Sequence, residues 1–205
     1  MAGFSTAAVR FGKPGALWVA PIGSAEPADE HAVWGTGWFK LGYTDAGSTF
    51  AYDITTANVE VEEELDVIAT VTTARAAHVT AALAQITFQN LMIAMNGGIL
   101  TSSDTGEAWT FEPPELGDEV RVMLGWDAYK GAVTAAVTGP PAVAAGYPQN
   151  DLRMVFRKVF QGGSVSMSNR KGNTKSTIPV DFKLEKPDNG GRLLKIMGSA
   201  SLNPA

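Results

Sequence analysis

Cysteine is absent from all 205 residues, which removes disulfide frameworks and thiolate metal sites and fits a reducing compartment. Histidine is scarce. His31 and His78 stand far apart with no HxxxH or HxH spacing, so a zinc centre has no local nucleus. His78, within an alternating stretch, reads as a half-buried strand residue. The phosphate-cradling patterns GxGxxG and GxxxxGK[ST] and the nucleophile elbow GxSxG are missing. Gly35-Thr36-Gly37, beside tryptophans, reads as a bulge. Charge is sparse at 18%, and no Asp, Glu, Lys or Arg lies between Arg75 and Asp104. Thr80, Gln85, Thr87, Gln89, Asn90 and Asn96 interrupt that interval, so it falls short of the roughly 20 mostly apolar residues a membrane span needs. Met1 to Ala20 carries Arg10 and Lys13 without an apolar stretch, so no signal peptide is expected there.

What is present suffices for a core: 45% of residues are hydrophobic, too many for a chain disordered throughout. The length suits one β-rich domain over 16–205, preceded by a small-residue arm over 1–15. Charge is unevenly placed. Residues 1–150 hold 6 basic and 17 acidic side chains, residues 151–205 hold 10 and 4, and together they give the net charge of −5. That asymmetry disfavours nonspecific nucleic-acid binding and suits head-to-tail self-association.

The clearest structural signal is Ala77 to Gly98. Val79, Ala81 and Leu83 alternate with His78, Thr80 and Ala82, the period of a half-buried strand. Phe88, Leu91, Met92 and Met95 then recur at helical spacing and predict the packing face of a short helix. Thr87 is its expected N-cap and Gly97-Gly98 its stop. Elsewhere the pattern predicts eight to ten strands. Among them are Ala16–Ile22, Asp118–Trp126 with Val120 inward, Leu152–Phe160, Val165–Met167 and Ser176–Glu185. Pro179 in the last cannot donate to a ladder, so an edge or a free side is expected there. A long hairpin is predicted around 50–75, and an irregular, Pro- and Ala-rich connection at 131–150. The fold class is mainly β: a β-sandwich or open barrel with one flanking short α-helix.

The acidic run Asp53, Glu60, Glu62, Glu63, Glu64 and Asp66 invites a metal reading, but no glycine lies within it as a calcium loop demands. A solvated or electrostatically functional face is the better account. Two-carboxylate hydrolysis has no supporting constellation, and neither a catalytic residue nor a cofactor is expected. Trp34, Trp38, Phe39 and Tyr43 have only Lys40 among them, which favours core packing over a base-stacking platform.

Gly37-Trp38-Phe39-Lys40-Leu41-Gly42-Tyr43-Thr44-Asp45-Ala46-Gly47, the acidic hairpin, the unit ending in Asn96-Gly97-Gly98 and the strands at Arg153–Phe160, Val165 and Thr177–Phe182 carry a resemblance in their order. Together they resemble the major tail proteins, or tail tube proteins, of long, non-contractile-tailed phages such as those of actinobacteria. The resemblance implies a non-enzymatic virion subunit that assembles in the host cytoplasm. Hexameric rings would stack into a tube through which DNA passes without specific binding. Tape-measure, tail-tip and terminator proteins would be its partners, with no membrane involved. Residues 1–15 and the acidic hairpin become candidates for inter-ring or lumen contacts, while 131–150 has no counterpart in the pattern. The competing reading is a β-sandwich carbohydrate-binding or adhesin module, with an exposed aromatic strip from Trp34, Trp38 or Trp126.

Overall fold

A computed structural model describes residues 15–60, 62, 66–103, 106–132, 148–167 and 175–198. Ten strands and one helix occur among them. They are β1 (Ala16–Pro21), β2 (Phe39–Lys40), β3 (Thr44–Val59), β4 (Ala69–Leu83), α1 (Phe88–Ala94), β5 (Ile99–Ser102), β6 (Trp109–Glu112), β7 (Val122–Ala132), β8 (Pro148–Gln161), β9 (Ile178–Leu184) and β10 (Leu194–Gly198). The arm expected at 1–15 lies outside the described residues except for Gly15.

Apolar residues at consecutive positions make a strand that can be covered on both faces. β1 and β8 are of that kind. Leu17, Val19, Met154 and Phe156 enter one buried cluster, while Ala20 and Val155 enter another on the opposite face. These strands sit inside one antiparallel sheet ordered β2-β1-β7-β8-β9-β4-β3, with β5 and β6 forming a separate pair. One flank of β8 carries β7; the other is divided, Leu152–Phe156 pairing with β10 and Val159–Gln161 with β9. β9 pairs with β4 along Ile178–Lys183 but meets β8 only from Phe182 onward, so Pro179 has the free side its missing N–H requires.

The sheet does not close, but it curls until its edge strand β3 meets β7 and β8. The Trp126 Nε1–H on β7 donates to Ser48 Oγ on β3 at 2.6 Å, and the rings of Phe50 and Phe156 lie 5.4 Å apart. Leu17, Val79, Leu83, Leu124, Phe156 and Phe182 fill the space enclosed, each contributing about 1.5–3 kcal/mol by burial. The fold is therefore mainly β with a single short flanking helix.

α1 begins as expected: Thr87 Oγ1 accepts the Asn90 N–H at 3.1 Å. Its inward face differs from the predicted stripe of Phe88, Leu91, Met92 and Met95. Asn90 and Ala94 are its buried residues, with Leu91 and Ile93 against the core, whereas Phe88 is 40% exposed and leans on Phe111. The reason is polar. Asn90 Nδ2 donates to Leu41 O at 3.1 Å and Gln85 O at 2.8 Å, satisfying two carbonyls that would otherwise be orphaned.

On the outer face, Trp34 and Trp38 cover Met123, Val155 and Met197. The indole N–H groups of Trp18 and Trp34 both donate to Asp127 Oδ2, at 3.0 and 2.8 Å. Arg153 Nε donates to Asp127 Oδ1 at 2.7 Å, and its Nη1 donates to Asp29 O and Ala32 O. The guanidinium also stacks 4.4 Å from the Trp34 ring. A buried ion pair with its remaining hydrogen-bonding groups engaged thus pins the 24–38 loop to the sheet. Gly125 allows the close fit, because a Cβ there would run into the Trp34 indole. Nearby, Arg157 Nε donates to Glu26 Oε1 at 2.6 Å and holds that carboxyl below the usual glutamate range.

Several expectations are corrected. Residues 165–167 form no strand; Val120 precedes β7 and is exposed; Tyr43 is exposed rather than packed. β7 and β8 run to a last pairing of Ala132 with Pro148, so both ends of the connection placed at 131–150 are strand. Residues 133–147 lie outside the described residues.

Candidate functional site

β3 and β4 are long because their β-branched and small residues continue well past the core. Pairing runs from Thr44–Leu83 to Val59–Ala69, with a bulge at Thr55–Thr56. β9 follows β4 only from Leu83 to His78. Beyond that point, Tyr52–Val59 and Ala69–Ala76 form a two-stranded ribbon whose residues are all exposed. Ile54, Ile68 and Val71 are 56, 57 and 46% exposed, and among the described residues no strand pairs with either edge of this ribbon. An isolated hairpin is only marginally stable in water, and open backbone edges are templates for another chain. The ribbon is therefore the candidate surface for association.

The predicted acidic group is divided along it. Asp53 sits on the ribbon wall, 3.8 Å from His78 Nδ1. Glu60, Glu62 and Asp66 occupy the tip and are exposed, about 20 Å further along at 3.3–3.4 Å per residue of strand. Glu63 and Glu64 lie outside the described residues. Among the described residues, no group of three or more His, Cys, Asp or Glu is arranged to hold a metal. The predicted helix residues Phe88, Leu91, Met92 and Met95 stand apart from the ribbon, on α1 beside the β5–β6 pair.

Sequence reasoning located the hairpin and its acidic bend but missed two features. One is the apolar exposure of Tyr52, Ile54, Val67, Ile68 and Val71, for which a β-branched run with no alternating polar face was the available signal. The other is a cleft at the ribbon base, lined by Tyr52, Arg75, Ala77, Leu184, Lys186 and Arg192 among others. Arg75 is distant in sequence from Lys186 and Arg192, and the β4–β9 pairing brings it near them.

No curated protein matches this sequence. A family model described as phage tail tube protein matches residues 2–142, a span that includes the whole ribbon, α1 and the β5–β6 pair. With an unpartnered strand ribbon on an open sheet and that match over more than half of its length, the chain belongs to the phage tail tube protein family.

Proposed function

We propose that this chain is the repeating subunit of the tube of a long, non-contractile phage tail. Copies associate side by side into hexameric rings, the rings stack, and the channel so formed carries DNA during ejection. The ribbon is the observation that supports this reading: it carries open edges and exposed β-branched side chains that no other strand among the described residues covers. Other ends of the tube would be met by tape-measure, tail-tip and terminator proteins, after assembly in the host cytoplasm. DNA transit favours a lumen that avoids phosphate contacts, since each contact releases counterions and slows movement. The division of acidic residues favours the tip as an inter-subunit contact and leaves Asp53, on the wall, as the acidic residue facing elsewhere.

The glycan-binding alternative loses its aromatic strip. Trp34 and Trp38 are buried, and Trp126 is engaged with Ser48. The role is structural rather than enzymatic.

Electron microscopy of purified protein at rising concentration, with and without tail-tip seeds, tests the proposal. Hollow tubes or six-fold rings are expected. Protein that stays monomeric at every concentration and with every seed would overturn it.

A further inference from the structure

The cleft at the ribbon base has a volume of about 650 Å³. Its walls include Leu184, Leu193 and Leu194, and its rim carries the exposed cations Arg75, Lys186 and Arg192. Nearby carboxylates are already engaged. Glu185 lies 3.4 Å from Arg121 and 3.9 Å from Lys158, Asp188 lies 2.7 Å from Lys158, and Glu26 lies 2.6 Å from Arg157. Among the described residues no carboxylate pairs with Arg75, Lys186 or Arg192. The ribbon tip has the complementary character: Glu60, Glu62 and Asp66 beside the exposed Val67 and Ile68. It cannot fill its own cleft. Arg75 pairs with Ile54, and five residues of strand separate that pair from the Val59–Ala69 pair, about 17 Å of extended chain.

We propose that the acidic tip of one copy's ribbon seats in the cationic cleft at the base of a neighbouring copy's ribbon. The inference rests on the tube-subunit reading and specifies the partner of this surface as a second copy of the chain. Carboxylates meet Arg75, Lys186 and Arg192 at the rim, while Val67 and Ile68 cover the leucine wall. The contact joins two different patches, so it is heterologous and propagates from copy to copy instead of closing a pair.

Charge reversal tests it. Reversing the cleft (Arg75→Glu, Lys186→Glu, Arg192→Glu) or the tip (Glu60→Lys, Glu62→Lys, Asp66→Lys) should raise the concentration needed for assembly about tenfold or more, with the monomer's melting temperature little changed. Combining all six changes should return it to within about threefold of wild type, because the charges again oppose one another. The absence of native cysteine allows a second readout. Under mild oxidation by oxidised glutathione, an equimolar mixture of Glu62→Cys and Arg192→Cys proteins should yield disulfide-linked dimers that neither yields alone. Tubes that form equally well from the cleft-reversed protein, with no cross-link in the mixture, would overturn the docking and leave the tube reading standing. A cross-link within a single chain carrying both cysteines would overturn the copy-to-copy assignment. Wild-type protein that never assembles, together with a cysteine mixture that never cross-links, would overturn both.

Discussion

Asp127 ties three side chains together, receiving hydrogen bonds from Trp18, Trp34 and Arg153 while only 1% exposed. Removing it strands a buried guanidinium and two indole N–H groups, so Asp127→Ala should cost about 3–5 kcal/mol, the range for breaking a buried pair from one side. Urea unfolding followed by tryptophan emission measures this; a loss under about 1 kcal/mol would mean that the 24–38 loop is held by packing alone. Glu26 makes a pH prediction with a definite sign. Arg157 lowers its carboxyl pKa in the folded state, so the pair's stabilisation is fully present above the ordinary glutamate value and is lost as pH falls through the lowered one. Glu26→Gln should lower the melting temperature at neutral pH and leave it little changed below the lowered pKa, so that the acid limb of melting temperature against pH flattens.

At the scale of elements, the strand and helix over 77–98 were legible because their periods of two and 3.6 adjoin without ambiguity. The orientation of α1 was not, because a hydrophobic stripe says nothing of an asparagine whose amide finds two carbonyls in the 41–43 and 84–87 segments. The reach of the β3–β4 ribbon was half legible. Residues 50–75 read as a hairpin, but the pairing with β9 that ends at His78, and so sets how much of the hairpin stands free, is a tertiary fact. Shortening tests the ribbon's independence. Replacing residues 55–72 by an Asn-Gly turn removes side chains that are all exposed in the described part of the segment. It should change unfolding free energy by no more than about 1 kcal/mol while abolishing tube formation in the microscope. A collapse in stability would instead make the ribbon part of the fold.

Over the whole molecule, the balance of charge between residues 1–150 and 151–205 was readable from composition, but its meaning depended on topology. β10 and the 185–193 segment bring late cations to the base of an early hairpin. Arg75, one of the few basic residues of the acidic portion, joins them there. Assembly should therefore weaken as ionic strength rises past the range where the Debye length falls below about 8 Å, which light scattering across a salt series would report.

The direction in which the ribbon joins the sheet also fixes how the subunit bears load. Ladder hydrogen bonds lie perpendicular to their strands, and the six residue pairs from His78–Lys183 to Leu83–Ile178 anchor β4 to β9. A pull along the ribbon axis stretches those pairs together in shear, whereas a sideways pull opens them one after another. Each subunit is therefore strong in tension along its arm and weak to peeling.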